Sequence, residues 1–308
     1  MKRAIFCFSC SLLLFFGVLA AQAFRSGDKS VSIRSDNDSL SDDCKDHLQV
    51  TSRQYSSVLQ DEEARMVPNR PLNLVAEQNG GIHISTWDRP EFSVKLCKQV
   101  ASNSSEQAQK ILQETRLSIH GDTVSVSSPD RDDDYSLGTL LLVKAPKDAQ
   151  VSMRVQNGGI SMRHFTGKAD AKAINGGISL RDSTGKLTVR AQNGGITIKD
   201  CSGDVTADVE NGGLALYLSE RWDGKGLEAH TENGGMMVSV PRNFNSGLEV
   251  SGSEHVAIVC KGDVCENGQR TWDNGHRIFR MGGTPQVKAT TVNGGITIRS
   301  REHSEDSI

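Results

Sequence analysis

The triplet Asn-Gly-Gly occurs seven times in this chain, and four consecutive copies follow one another at intervals of 18 residues. The triplets begin at Asn79, Asn157, Asn175, Asn193, Asn211, Asn233 and Asn293. The units NGGISMRHFTGKADAKAI, NGGISLRDSTGKLTVRAQ and NGGITIKDCSGDVTADVE show the repeat directly. A fixed period is typical of folds in which one supersecondary unit stacks on the next. The sequence therefore predicts a repeat architecture.

Each repeat contains two segments in which apolar residues alternate with polar ones. In the first unit these are Ile160 and Met162 before a Thr-Gly turn, and Ala169, Ala171 and Ala173 after it. Alternation with period two predicts half-buried strands. We expect the Asn-Gly steps to supply the positive φ of tight reversals. The predicted turn residues are Asn157, Gly158, Gly159, Asn175, Gly176, Gly177, Asn193, Gly194, Gly195, Asn211, Gly212 and Gly213.

Two all-β architectures fit two strands per 18 residues. In an antiparallel meander neighbouring strands pair in sequence, whereas in a β-solenoid like strands stack in parallel about 4.8 Å apart. The constant interval favours the solenoid, because stacking places each asparagine above the next, where side-chain amides can form a ladder. We therefore predict a flattened solenoid of two-strand rungs, with one short helix inserted near residues 104–117.

The composition agrees with a narrow repeat fold. The triplets hold 14 of the 30 glycines, and only 5% of the 308 residues are aromatic. A thin two-sheet interior has room for alanine, valine, leucine and isoleucine and for few larger groups. The formal net charge of −3 gives no indication of a nucleic-acid partner.

The ends of the chain differ from the repeats. Residues 1–23 resemble a signal peptide, with two basic residues, an apolar run and Ala-Gln-Ala. The apolar run is shorter than the ~20 residues of a membrane span, so we expect export without a transmembrane span in the mature chain. The destination is the periplasm, the outer surface or the medium. Residues 24–66 read as a polar, flexible leader, 67–300 as the repeat domain with its regular part at 151–240, and 301–308 as a polar tail.

Five cysteines follow the predicted signal peptide. The close pair Cys260 and Cys265 is the simplest disulfide, and Cys44 with Cys97 is the remaining pairing. Cys201 is expected to be free, because its repeat position holds other residue types in neighbouring units. No zinc-ligand spacing accompanies the cysteines, and neither a metal nor a cofactor is predicted.

The Asn-Gly-Gly-Ile units, the central Thr-Gly or Ser-Gly turn, the export signal and the outlying triplets resemble the bacterial putative-adhesin (toastrack-type) β-repeat domain. The resemblance extends from Leu72 to Arg299, although Leu214 and Met236 replace the isoleucine in two units. It implies a β-repeat module of the cell surface or envelope, and some similar proteins are linked to envelope-stress sensing. It implies no catalytic residues.

The search for catalytic or ligand-binding patterns gives weak candidates. No nucleophile elbow, phosphate loop or zinc-protease motif is present. The acidic run Asp130–Tyr135 lacks the spacing of a calcium loop and reads as a solvated turn. His164, Asp182 and Asp200 share one repeat position, which would bring the carboxylates about 5 Å apart on neighbouring rungs. Paired acids suggest a polysaccharide-active enzyme, but these residues are also common turn formers.

Basic residues recur at two outward positions of the repeat. The first column contains Arg163, Arg181 and Lys199, and the second contains Arg154, Lys172 and Arg190. Stacked like charges repel, so we hypothesise that one or both columns bind an extended anion, either an acidic polysaccharide or anionic lipid headgroups. The alternative is that they are solvated side chains that discourage edge pairing.

Together these patterns predict an exported β-repeat protein that acts by binding or as a scaffold and is not an enzyme. Its partner would be the extended anion or another envelope protein. A β-helical polysaccharide lyase or hydrolase and an envelope-stress sensing module are the alternatives. The two later tryptophans, Trp222 and Trp272, either stack on sugars or fill an end or a bulge of the repeat.

Overall fold

Two long sheets of parallel strands dominate the structure, as the repeat predicts. The computed structural model describes residues 31–35, 41–52, 55–76, 79–130 and 134–301, with residues 31–35 and 50–52 as backbone only. The predicted signal peptide, residues 131–133 of the acidic run and the tail 302–308 lie outside this part of the chain. The prediction of an all-β, solenoid-like stack is confirmed.

Each regular repeat contributes one eight-residue strand to the first sheet, called sheet I, and one shorter strand to the second, called sheet II. The strands of sheet I are β10 (Gln150–Asn157), β12 (Lys168–Asn175), β14 (Lys186–Asn193), β16 (Asp204–Asn211) and β18 (Gly226–Asn233). Those of sheet II are β11 (Ile160–Arg163), β13 (Ile178–Arg181), β15 (Ile196–Lys199), β17 (Leu214–Tyr217) and β19 (Met236–Val240). All neighbours pair in parallel, with Asn157 opposite Asn175 and Ile160 opposite Ile178. The fold is therefore a parallel solenoid and not a meander.

The outlying triplets form rungs of the same stack. β4 (Leu72–Ala76) and β5 (Gly80–Thr86) pair with β10 and β11, whereas β24 (Val287–Asn293) and β25 (Ile296–Ser300) pair with β18 and β19. The 60-residue excursion supplies β20 (Leu248–Ser253), β21 (Ile258–Lys261), a 3-10 turn (Asp263–Cys265), β22 (Gln269–Asp273) and β23 (His276–Met281). β20 and β21 stack outside β24 and β25. The rung that follows Asn293 is therefore not the last of the stack, because the excursion forms that end.

A helix closes the opposite end of the stack. β6 (Phe92–Ser102), β7 (Arg116–His120), β8 (Thr123–Ser127) and β9 (Tyr135–Ala145) extend the sheets there. α2 (Ser105–Glu114) begins after Ser104, whose hydroxyl accepts a hydrogen bond from the backbone N–H of Gln107. The helix buries Ala108, Ile111 and Leu112. It ends earlier than predicted, because the chain becomes extended from Thr115.

The second half of the predicted leader is folded onto sheet II. It contains β1 (Val31–Ser35), α1 (Cys44–His47), β2 (Leu48–Ser52) and β3 (Ser57–Val67). β3 pairs antiparallel with β6, and the Cys44–Cys97 disulfide ties α1 to the same strand. These contacts differ from the expected flexible leader over 24–66. Their physical reason is the burial of Cys44 and Leu48 against Leu140 and Leu142.

The core lies between the two sheets and contains the predicted inward positions. Ile160, Met162, Ala171 and their counterparts in later rungs are fully or almost fully buried. Trp222 is buried in the four-residue extension of one repeat, and its indole nitrogen donates to the Gly203 carbonyl at 3.1 Å. This tryptophan therefore fills a bulge and is not available to stack on a sugar.

Candidate functional site

The triplet asparagines form a continuous hydrogen-bonded ladder along the edge where the chain passes from sheet I to sheet II. Each side-chain Nδ2 donates to the Oδ1 of the preceding rung at 3.0–3.2 Å. The donor and acceptor pairs are Asn175–Asn157, Asn193–Asn175, Asn211–Asn193, Asn233–Asn211 and Asn293–Asn233. The predicted amide ladder is thus present, and the triplets have a structural role.

In six of the seven triplets, the first glycine leaves no room for a Cβ atom. A Cβ on Gly176 would lie 1.8 Å from the carbonyl oxygen of Gly158 in the rung below. Gly158 and Gly176 do not have the left-handed φ that we expected of a tight reversal. The prediction of positive φ is therefore wrong for these two glycines, where backbone stacks closely on backbone. Among the described triplet residues, positive φ occurs at Asn79 (85°), Gly212 (158°) and Gly294 (153°), the last two close to extended backbone, and it occurs again at mid-repeat glycines such as Gly185 (φ 112°).

The first basic column is in register but is not an open surface. Arg163, Arg181 and Lys199 pair across β11, β13 and β15 as predicted. However, only 7% of Arg163 and 8% of Lys199 is exposed and Arg181 is half-buried, so these outward side chains are not solvated as we expected. The same side of the sheet buries His83, and its pKa falls to about 3 because of burial first and then the charges of His47, Lys144 and Arg163. This column is therefore removed from the candidate surface.

The second basic column lies on the outer side of sheet I and is exposed. Arg154, Lys172 and Arg190 occupy facing positions on β10, β12 and β14. Arg190 lies 3.4 Å from Asp170 and 3.5 Å from Asp208, so its charge is largely balanced. Within the described residues Arg154 and Lys172 have no ion pair.

Two lysines that the sequence analysis did not single out extend this surface. Lys168 and Lys186 face each other at the starts of β12 and β14, are exposed, and form no ion pair with a described residue. The sequence does indicate these two lysines, because a lysine directly follows the central Thr-Gly turn in two successive units. We call Arg154, Lys168, Lys172 and Lys186 the basic patch.

Acidic residues border the basic patch on the next two strands. The outward charged positions of β16 and β18 hold Asp204, Asp208, Glu210, Glu228 and Glu232. Sheet I thus changes from mainly basic to acidic between β14 and β16, about 4.8 Å apart; Asp170, which lies between Lys168 and Lys172 on β12 and pairs with Arg190, is the acidic exception on the basic side. This border confines any anionic ligand to the strands β10, β12 and β14.

The column of His164, Asp182 and Asp200 does not form a catalytic pair. All three residues have positive φ, between 48° and 52°, and therefore act as turn residues. His164 Nε2 lies 3.8 Å from Asp182 Oδ2, and both side chains are half exposed. Asp200 instead accepts hydrogen bonds from Arg301, with Nη2–Oδ2 at 2.8 Å, and from Ser219 at 3.1 Å.

The surroundings of Asp200 explain its ionisation. Burial on its own raises the pKa of this carboxyl, but the hydrogen bonds from Arg301 and Ser219 and the charge of Arg301 outweigh burial and hold the pKa below its usual value. The carboxylate therefore serves as an anchor for Arg301, which also donates to the Leu218 carbonyl at 2.9 Å.

The cysteines occupy three separate places. Disulfides join Cys44 to Cys97 and Cys260 to Cys265, which are the two pairs named from the sequence. Cys201 is a buried free thiol, and burial raises its pKa to about 12. A thiol with that pKa is not a nucleophile at neutral pH.

Comparison with known proteins was made on both sequence and structure. No protein-family model matches the chain, and no curated protein matches it in sequence. Three solved structures that it resembles are a putative cell adhesion protein from Clostridium sporogenes, a putative adhesin from Bacteroides fragilis and a putative lipid binding protein from Parabacteroides distasonis. Their sequence identities are 10%, 9% and 10% and their TM-scores 0.28, 0.32 and 0.35. The matches cover 77–79% of this chain and 96–100% of the others.

Among the described residues, no helix has the length and apolar character needed to cross a membrane.

Proposed function

We propose that this protein is an exported surface or envelope binding module whose basic patch holds an acidic polysaccharide. The observation that carries the proposal is the set of four exposed cations, Arg154, Lys168, Lys172 and Lys186, on the outer face of sheet I. Export is supported by the N-terminal sequence pattern. A binding role is favoured over catalysis because the candidate catalytic column of His164, Asp182 and Asp200 consists of turn residues.

Like charges face each other within the basic patch, although Asp170 lies between Lys168 and Lys172 and Asp204 faces Lys186. Lys168 faces Lys186 and Arg154 faces Lys172 on adjacent strands, about 4.8 Å apart. Like charges that lie directly opposite each other destabilise a sheet. A bound polyanion relieves both repulsions at once, so its binding is favoured beyond the attraction of each single charge.

The shape of the patch fits an extended ligand. The four cations span about 13 Å along β12 and about 10 Å across three strands. A polymer that carries one carboxylate per sugar can meet them on a flat surface, and guanidinium and ammonium groups both bind carboxylates. The acidic strands β16 and β18 repel the same polymer and keep it on the basic side.

The experiment is a titration of the full chain with polygalacturonate, with neutral dextran and with phosphatidylglycerol vesicles. We expect polygalacturonate to bind at low ionic strength, to dissociate as salt is added because exposed charges are screened, and dextran not to bind. Equal binding of dextran, or no binding of polygalacturonate, would overturn the proposal. Binding of vesicles without binding of polygalacturonate would replace the polysaccharide by anionic lipid headgroups.

A further inference from the structure

The two ends of the solenoid are closed differently. At the end where sheet II finishes with β9, β6 and β3, α2 packs an apolar face on β3 and β6 and presents a polar face outward, as terminal caps of repeat proteins do. At the other end sheet II stops at β21, whereas sheet I continues with β23 and β22. The overhanging hairpin and β21 therefore border an open cleft.

The inner face of the hairpin carries an unusual group of side chains. Trp272 and Arg270 lie two residues apart on β22, and Arg277 faces Trp272 on β23. The guanidinium of Arg277 lies 5.7 Å from the centre of the Trp272 ring. Trp272 is 57% exposed, and the other residues of the edge strand β22 are exposed as well, so its ring is accessible to a ligand.

The remaining walls of the cleft are mainly apolar, and they are partly exposed to solvent. Phe279 is buried at its floor, and the loop that the Cys260–Cys265 disulfide ties down packs against the Phe279 ring, since a Cβ on Gly268 would lie 2.3 Å from it. Ile258 and Cys260 form the opposite side. The cleft has a volume of about 530 Å³ and is open to solvent.

The charges of the cleft select the ligand. Both charged residues in its lining are arginines, Arg270 and Arg277, and Asp273 lies on the other face of β22 by strand alternation. We propose that the cleft binds an acidic sugar residue. The apolar face of the ring would stack on Trp272, and the carboxylate would accept hydrogen bonds from the two guanidinium groups.

The arrangement of Arg277 supports this ligand class. Its cation–π contact with Trp272 holds the guanidinium in place at little cost to its hydrogen-bonding edge. A carboxylate can therefore bind bidentately to a group that is already ordered, which lowers the entropy cost of association. This site lies apart from the basic patch, and neither proposal depends on the other.

The test follows tryptophan fluorescence of the full chain during titration with trigalacturonate, with neutral maltotriose and with hexaglutamate. We expect quenching by trigalacturonate alone. Trp272→Ala should abolish it, and Arg277→Gln should weaken binding at least tenfold. Arg280→Gln is the matched control, because Arg280 lies on the same strand with its side chain paired to Glu249 at 2.6 Å, and it should bind like the wild type.

The proposal is overturned if trigalacturonate does not bind, or if maltotriose binds equally well. It is also overturned if Arg280→Gln and Arg277→Gln lose affinity for trigalacturonate equally. Preference for hexaglutamate would assign the cleft to an acidic peptide instead. Reversal of Lys168 and Lys172 to glutamate should leave trigalacturonate binding unchanged, so failure of this site and failure of the basic patch are distinguishable.

Discussion

The side-chain amide of Asn175 donates a hydrogen bond to the side-chain carbonyl of Asn157, 18 residues earlier, at 3.0 Å. The same bond joins Asn293 to Asn233 across 60 residues, also at 3.0 Å. Stacking of rungs, and not their separation in sequence, therefore sets the contact. The ladder keeps the strands of both sheets in register and so fixes which charges lie side by side on the outer face.

We expect Asn193→Ala to destabilise the protein by about 1–2 kcal/mol, because it removes two ladder bonds and leaves Asn175 and Asn211 each without one partner. Urea denaturation measures the loss. Gln192→Ala, an exposed neighbour outside the ladder, is the control. Equal stability of the two variants would show that the ladder contributes nothing.

Gly176→Ala should be more damaging, at about 3 kcal/mol or more, because the new methyl group meets a backbone carbonyl that cannot move without shifting a rung. Gly295→Ala places a methyl group at another triplet glycine, with no atom within 4 Å of its Cβ. Thermal denaturation measures the melting temperatures of both variants. A melting temperature of Gly176→Ala as high as that of Gly295→Ala would contradict the close-stacking account.

Asp200→Asn should destabilise the protein at pH 7 by about 1–2 kcal/mol, since the anchor of Arg301 loses its charge. The folded-state pKa of Asp200 is depressed, so its stabilising effect is present above the unfolded pKa of about 3.9 and disappears as the pH falls through the folded value. The difference between wild type and variant should therefore vanish in acid. Asp182→Asn, one rung away, is the control, and a difference that persists below pH 2 would contradict the ion-pair assignment.

Cys201 should resist alkylation in the folded protein. Its thiol is buried and its pKa is raised to about 12, so very little thiolate exists at pH 8. Iodoacetamide treatment followed by mass spectrometry of the peptide that contains Cys201 should show modification only after addition of denaturant. Rapid modification under native conditions would mean that this part of the core opens.

The repeat region could be predicted from the sequence because one constraint recurs in every unit. Alternation gave the inward residues, and the constant interval gave parallel stacking and the asparagine ladder. The role of Gly176 was misassigned, because an Asn-Gly step is equally compatible with a left-handed turn and with a close backbone approach. Only the backbone stacking seen in the structure distinguishes the two.

The surface was harder to predict for a different reason. The alternation of apolar and polar residues predicts which side of a sheet a residue faces. It does not predict whether another segment covers that side. Arg163 and Lys199 therefore had the same sequence signature as Arg154 and Lys172, although the first pair is buried and the second is exposed. The Trp272 cleft also has no repeat signal, since it arises where the excursion makes one sheet longer than the other.

The affinity of the full chain for polygalacturonate, compared between Lys168→Glu/Lys172→Glu and Lys110→Glu/Lys288→Glu, tests the central claim most directly. Both double variants change the net charge equally, and only the first alters the basic patch. We predict that binding at low salt falls about tenfold or more in the first variant and changes little in the second. Equal affinities of the two variants would contradict the assignment of the basic patch as the binding surface.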